Sequence, residues 1–292
     1  MIVILGALIV LGSVVGGFMM AGGNTLALMH LSELIIIGGA AAGSLVLMSP
    51  KKVLMDLFKQ AFGALKGSPY KRKAYDDLFK ALYELFMLGR RGGMVALEEH
   101  IMSPDTSAIF NKYPTFQKNK PAMDFLCNGL RPIIDGKIKP DHLKLLLEIE
   151  LDAMEQEQER PIGVLTKAAD AMPGFGIVAA VLGIVITMAS IAGPIEKIGE
   201  KVAAALVGTF LGIFLSYGFM NPLAVNMEFV SMAELAYIRC IAASVISFAS
   251  GMSPIMAIEV ARRGLSSEVK PSADGLEIML KSLNQQAAQA KP

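Results

Sequence analysis

Four long stretches without a charged side chain constrain this sequence more than any other feature. They cover Ile2–Ala21, Leu34–Met48, Ala171–Ile195 and Val202–Met227. About 20 apolar residues, at about 1.5 Å each, are enough to cross the apolar layer of a bilayer. Hydrophobic residues make up 53% of the chain and charged residues only 18%. The sequence therefore predicts an all-α integral membrane protein with four transmembrane helices.

Two of these stretches leave an alternative open. The second is short because Glu33 precedes it, so it reaches a normal span only if Leu31 and Ser32 belong to it, and a re-entrant or tilted segment is the alternative. The first stretch resembles a cleaved signal peptide in its position, but no basic residue precedes its long apolar core. We interpret it as a span.

The basic residues predict the orientation of the spans. Of 27 Lys and Arg residues, 19 lie between Lys51 and Lys167, whereas only Lys197 and Lys201 lie between the third and fourth spans. Short segments rich in Lys and Arg beside a span stay in the cytoplasm. Both termini are therefore expected to be cytoplasmic.

The predicted domains follow from these boundaries. They are residues 1–49 with the first two spans, 50–170 as a helical cytoplasmic domain, 171–227 with the last two spans, and 228–292 as a cytoplasmic tail. After Pro140 few helix breakers occur, which predicts a long helix into the third span with a bend near Pro161. Residues 238–252 are predicted to form a buried helix of the cytoplasmic bundle, with a membrane-associated helix as the alternative.

No residue pattern points to an enzyme, a metal site or a cofactor. Cys127 and Cys240 are far apart and outside any metal-ligand motif, which indicates two buried reduced thiols. The three histidines are scattered without ligand spacing, and no arrangement typical of an intramembrane hydrolase occurs in the spans.

The spans contain no ionisable side chain at their centres, where a protein that moves ions is expected to place one. Either the chain moves no ion, or a partner supplies the titrating group. The spans instead contain small residues, with glycine pairs four apart at 39 and 43 and at 208 and 212 that favour close packing between spans or between subunits. Thr187 and Thr209 either line a polar path or bond to their own helix backbone.

Two prolines mark the predicted inner ends of the last two spans. Pro173 is expected in the first turn of span three, where its missing N–H costs little, whereas Pro222 removes a helical hydrogen bond and frees the carbonyl of Gly218. Both are predicted to lie at the same depth. They form either a hinge or simply a helix start and a helix end.

The segment from Arg90 to His100, with the sequence RRGGMVALEEH, is too polar for a span. Gly92 and Gly93 are predicted to end the preceding helix, so that Arg90 and Arg91 lie around a bend from Glu98 and Glu99. From the residues alone, a solvated bend is the alternative to a binding surface.

Taken together, these features resemble the flagellar motor stator subunits of the MotA/PomA family. The resemblance covers most of the chain and rests on the two pairs of spans, the RRGGMVALEEH segment, the PGFGIVAAVLGIV entry to span three and the NPLA motif in span four. It implies a homo-oligomeric ring around a MotB-like partner with a membrane aspartate and a peptidoglycan-binding domain. No cofactor and no nucleic acid are implied.

The resemblance also implies roles for particular residues. Arg90 and Glu98, with Arg91 and Glu99 beside them, would contact the rotor protein FliG. Pro173 and Pro222 would couple the ion to movement, and Thr209 would face the ion route. Ala180 stands where sodium-driven relatives place a threonine, which favours protons as the transported ion. The alternatives are an energiser of the ExbB/TolQ type, which has three spans, and a channel or transporter that acts alone.

Overall fold

A computed structural model describes the backbone of residues 2–189, 192 and 194–289, and the side chains up to residue 283. These residues form helices and no strands. The α-helices, numbered α1 to α12 in chain order, are Ile2–Met20, Leu31–Met48, Lys51–Lys66, Arg72–Gly92, Glu98–Met102, Pro114–Gln117, Lys120–Ile134, Pro140–Met188, Ile195–Leu215, Asn221–Ala249, Pro254–Arg263 and Ala273–Gln289. Short 3-10 turns are Thr25–Leu28, Met94–Leu97, Pro104–Thr106 and Phe110–Lys112.

Four helical stretches in the described part are long and apolar enough to cross a membrane, which confirms the predicted number of spans. The helix of the second span begins at Leu31. It therefore includes the two residues that a normal span required. Glu33 is buried in its first turn, where the hydroxyl of Ser32 donates to its carboxylate at 2.6 Å.

The predicted end of the third span is wrong. The helix ends at Met188 rather than at Ile195, and the next helix starts at Ile195 after Pro194. Proline has no N–H and disfavours a helical residue before it, so one helix does not run through this position. Residues 190, 191 and 193 of the predicted span lie outside the described residues.

The fourth span also extends beyond its prediction at both ends. Its helix starts at Ile195, seven residues before Val202, and continues through a π-helical turn, Ser216–Met220, into α10. Charged residues limit the apolar part of a helix without ending the helix itself. For the same reason Glu228 does not start a separate tail element, because α10 continues to Ala249.

The chain divides into two compact units. The first contains Met1–Gly67 and Glu157–Ser231, and the second contains Ser68–Gln156 and Met232–Pro292. The limits of these units reflect how the chain packs, whereas the predicted domain boundaries describe where the chain enters the membrane. The predicted domain boundaries therefore stay a prediction.

The second unit has a core of large side chains. Its fully buried aromatic residues come from three helices and a 3-10 turn; they are Tyr75, Phe79, Phe86, Phe110, Phe116 and Tyr237. The second half of α10 packs into this core through Ile238, Ile241 and Val245, among others. Residues 238–249 thus form a buried helix, as predicted. Cys127 and Cys240 are buried and free, and burial raises the pKa of the Cys127 thiol to about 11.

The first unit is built from closely approaching helices. A Cβ added to Gly176 in α8 would lie 2.8 Å from the carbonyl oxygen of Gly208, and one added to Gly212 would lie 2.7 Å from the carbonyl oxygen of Met172. The glycine pair at 208 and 212 therefore packs α9 against α8 within one chain. The pair at 39 and 43 has no neighbour within 4 Å of such a Cβ, and these glycines lie on an exposed face of α2.

Candidate functional site

The segment from Arg90 to Glu99 forms the predicted bend. Arg90 and Arg91 lie in the last turn of α4, and Gly93, which follows the end of that helix, has a φ of 76° that glycine adopts without strain. A 3-10 turn then leads to Glu98 and Glu99 in the first turn of α5. Basic residues at a helix C-terminus and acidic residues at an N-terminus both interact favourably with the helix dipoles.

The four charged side chains of this bend are exposed. Within the part of the chain that the structure describes, none of them forms an ion pair. Their charges are therefore available to groups outside the chain. We call these four residues the charged bend.

Two buried contacts hold the charged bend against the core of the second unit. Leu97 and Ile101 are fully buried beneath the exposed acids. Gly89, one residue before Arg90, leaves room for Leu97 and Phe248, which would lie 3.2 and 3.0 Å from an added Cβ. Sequence reasoning missed Gly89, although a small residue between the apolar residues of an amphipathic helix is a signal of close packing.

A polar contact fixes α5 from the other side. His100 Nδ1 and Ser107 Oγ are 2.8 Å apart, and the backbone N–H of Phe110 donates to the same hydroxyl at 3.2 Å. Ser107 is buried, whereas His100 is half-buried. This link ties the helix that contains Glu98 and Glu99 to the following connector. Sequence reasoning missed it because the two residues are joined only by the fold.

Pro173 does not lie in a first turn, so that prediction is wrong. It is 33 residues inside α8, which begins at Pro140 and also contains Pro161. Because α8 is already helical before Pro173, the missing N–H of this proline leaves the carbonyl of Ala169 without its helical partner. The interpretation as a simple helix start is excluded for Pro173. Any bend at Pro161 stays a prediction.

Pro222 lies two residues after the π-helical turn Ser216–Met220, and the N–H of Asn221, which caps that turn, donates to the carbonyl of Ser216. Turns of this kind are rare and occur frequently at functional sites. Ser216 is fully buried, and its hydroxyl has no hydrogen-bond partner among the described residues. A π-helical turn and an unsatisfied polar atom therefore coincide beside Pro222.

A hydrogen bond joins the two proline regions. The Asn221 side-chain nitrogen donates to the Asp170 carboxylate at 3.2 Å, so the residue before Pro222 contacts a residue three positions before Pro173. This contact brings the two proline regions close together, whereas their depth in the membrane stays a prediction. An open groove runs beside Pro222 and is lined by Tyr217, Asn221, Val225, Asn226 and Phe229.

The remaining predicted residues lie along the α8–α9 contact. Ala180 is buried, and its backbone nitrogen is close to Gly208. Thr187 is 1% exposed and its hydroxyl donates to the carbonyl of Gly183 at 2.8 Å, so it bonds to its own helix. Thr209 is half-buried, with its Cα beside Gly176.

Two protein-family models match this chain. The model for the N-terminal part of motility protein A matches residues 4–93, and the model for the MotA/TolQ/ExbB proton channel family matches residues 117–234. Motility protein A of Salmonella typhimurium is 37% identical over 277 residues, which cover 95% of this chain and 94% of that protein. The chain belongs to the motility protein A family. LafT of Vibrio parahaemolyticus, a chemotaxis protein, is also 37% identical, over 94% of this chain and 96% of its own length.

Solved structures share the fold of this motility protein A family member. The structure of C. jejuni MotAB matches 91% of this chain and 96% of its own, with a TM-score of 0.76 and 22% identity. The flagellar MotAB stator complex from Bacillus subtilis matches 94% of this chain and 98% of its own, with a TM-score of 0.72 and 23% identity. Neither family model is that of an enzyme family.

Proposed function

We propose that this chain is the ring-forming subunit of a flagellar stator, which converts ion flow across the inner membrane into torque on the rotor. The observation that carries this proposal is the 37% identity to motility protein A over 95% of the chain. Both termini and the second unit lie in the cytoplasm, where the predicted orientation places most basic residues.

The partner is a MotB-like protein that supplies the titrating aspartate and anchors the complex to peptidoglycan. Two solved relatives of the same fold are MotAB complexes. The span centres of this chain contain no ionisable side chain. A carboxylate from a partner provides the group that the ion requires.

The transported ion is the proton, and no cofactor takes part. Ala180 has only a methyl group, which cannot coordinate sodium. Swimming speed is therefore expected to be independent of sodium concentration and to fall when a protonophore removes the proton gradient. The change Ala180→Thr tests whether a hydroxyl at this position introduces a sodium dependence.

The charged bend acts on the rotor protein FliG through exposed, transient ion pairs. One charge that crosses the membrane releases about 2.3 kcal/mol per 100 mV. An exposed ion pair is worth about 0 to 1 kcal/mol, so contacts of this kind form and break within one step. Within the described part of the chain, Arg90, Arg91, Glu98 and Glu99 form no ion pair, which supports this role.

The proline regions couple ion binding to movement. Pro173 interrupts the hydrogen bonds of α8, and Pro222 follows the π-helical turn, so both helices have fewer hydrogen bonds at the place where Asn221 contacts Asp170. Protonation of the partner aspartate shifts this region between two arrangements. The changes Pro173→Ala and Pro222→Ala are expected to abolish motility while the protein still reaches the membrane.

Charge reversal tests the proposed rotor contact. We expect Arg90→Glu and Glu98→Lys each to reduce swimming speed severely at normal membrane levels of the protein. Lys120→Glu is the matched control, because Lys120 is exposed in the same unit but outside the charged bend. Normal swimming of both reversal variants, and of the double variant, would contradict the contact.

An energiser of the ExbB/TolQ type is the second candidate, because one of the two family models includes those proteins. The four helices of membrane-spanning length and the separate match to the N-terminal part of motility protein A favour the stator. Restored swimming when the chain is expressed in a strain that lacks its own stator would separate the two candidates.

A further inference from the structure

The short helix α3 has two apolar faces, of which only one is covered. It begins at Lys51, three residues after the second span ends at Met48. Its inner face packs Leu57 and Ala64 against the first unit, where they join a cluster of Ile162, Leu165, Ala224 and Met227. The inner face therefore fixes the orientation of α3 on the first unit.

The outer face of α3 exposes three large apolar side chains. Met55 is 63% exposed, Phe58 57% and Phe62 65%. Spacings of three and four residues place them on one side of the helix. Removing such side chains from water is favourable, and neighbouring exposed ones mark an interaction surface.

Lysines surround this outer apolar face. Lys51, Lys59 and Lys66 are exposed, and each lies three or four residues from Met55 or Phe62. Within the described part of the chain these three form no ion pair, whereas the neighbouring Lys52 pairs with Glu157. The only acid of α3, Asp56, is half-buried. The surface thus presents an apolar centre with cationic edges.

An acidic lipid surface fits this arrangement better than a second copy of the chain. Face-to-face contact of two copies would bring lysines together with no acid between them. A bilayer surface instead offers acyl chains beneath an anionic headgroup layer, which suits a helix with a basic polar edge. The helix is about 24 Å long and starts where the second span leaves the apolar layer.

We propose that α3 is a binding site for acidic phospholipids, in which Lys51, Lys59 and Lys66 contact headgroup phosphates while Met55, Phe58 and Phe62 enter the acyl layer. Lysine stems reach along apolar surface and leave the ammonium group at the headgroup level. Each lysine near an anionic surface contributes up to about a fivefold preference for acidic over neutral phospholipid at low ionic strength.

The chain contains no tryptophan, so Phe62→Trp introduces a single tryptophan, excited separately from the tyrosines, into the outer face of the full-length protein. The protein is reconstituted in vesicles of phosphatidylcholine and phosphatidylglycerol in which only one of the two lipids has brominated acyl chains. Brominated lipid quenches the fluorophore on contact. We expect bromine on phosphatidylglycerol to quench several-fold more than its share of the mixture predicts.

Two triple variants decide whether the lysines cause this preference. Changing Lys51, Lys59 and Lys66 to Gln in the Phe62→Trp protein should return quenching to the ratio of the two lipids in the mixture. Salt at 0.5 M should have much the same effect, because it shortens the screening length to about 4 Å. The control changes Lys118, Lys120 and Lys139 to Gln, which removes the same charge from exposed positions of the second unit. This control should keep the preference.

Three results would overturn the proposal. Equal quenching by both lipids would show apolar contact without headgroup recognition. An unquenched, blue-shifted emission would show that protein covers the face, as a second copy or another partner would. Unquenched emission at the wavelength of a water-exposed indole would show that α3 does not touch the bilayer.

Discussion

The two compact units use opposite means to bring helices together. In the first, α8 and α9 approach until backbone meets backbone, and a Cβ would clash with backbone atoms at residues 176 and 212. In the second, helices are held apart by large side chains such as Phe86 and Phe248, whose rings stack with centroids 4.3 Å apart. The difference follows the solvent, because lipid gives helices no hydrophobic reason to associate, whereas water does.

The largest effect is expected from the core of the second unit. The change Phe86→Ala removes a fully buried ring and its stacking contact with Phe248, and we expect a loss of about 3–5 kcal/mol in the free energy of unfolding. Chemical denaturation of the purified protein, followed by circular dichroism, measures it. Leu145→Ala, at a side chain that is 62% exposed, is the control. A similar loss in both variants would mean that large buried side chains do not stabilise this unit.

A single methyl group tests the backbone contact of the first unit. Gly176→Ala would place Cβ 2.8 Å from a carbonyl oxygen that cannot move alone, and we expect a loss of about 1–3 kcal/mol. Gly129→Ala in the second unit would meet the end of the Leu147 side chain at 2.9 Å, which can rotate away. Thermal unfolding in detergent should therefore show a much smaller loss for Gly129→Ala. Equal losses would remove the distinction between the two units.

The polar link below the charged bend is expected to have a smaller effect. Ser107→Ala leaves the Phe110 N–H without its side-chain acceptor and His100 without its contact, at a cost of about 1–2 kcal/mol. Swimming speed should fall as well, since α5 loses one of its attachments. Thr106→Ala changes an exposed neighbour whose hydroxyl donates to the carbonyl of Ser103 in its own turn, and it should leave both measurements unchanged.

The smallest effect concerns an ion pair at the edge of the second unit. The guanidinium of Arg262, followed by that of Arg263, donates to the Glu259 carboxylate and holds its pKa at about 2, against the opposing effect of burial. The unfolded pKa is about 4.3, so this stabilisation is complete above that pH and is lost as the pH falls towards 2.

We expect Glu259→Gln to lower stability at pH 7 by at most about 1 kcal/mol and to reduce its pH dependence between about pH 4.5 and pH 2. Unfolding midpoints measured across this range provide the test. Glu277→Gln breaks a more exposed pair with Lys281 and should change little. An unchanged pH profile for Glu259→Gln would show that Arg262 does not stabilise the folded unit through this carboxylate.

Sequence patterns predicted the features that depend on local composition. The length of the uncharged stretches predicted four spans, because crossing the membrane depends on the composition of one continuous stretch. Gly93 predicted the end of α4, because its backbone geometry is a local property of glycine. The first and last residues of the helices were harder to predict from the sequence. Hydropathy shows where lipid contact ends, whereas hydrogen bonding decides where the helix ends, so α10 continues past Glu228 to Ala249.

By itself, the sequence determined that this is a helical membrane protein, which residues carry charge beside the bend, and that its span centres lack an ionisable group. Tertiary structure alone decided that Gly176 meets Gly208, that Asn221 bonds to Asp170 and that His100 meets Ser107. These contacts join residues from different helices or across a connector. No local preference encodes them, because they arise only when buried apolar faces bring distant parts of the chain together.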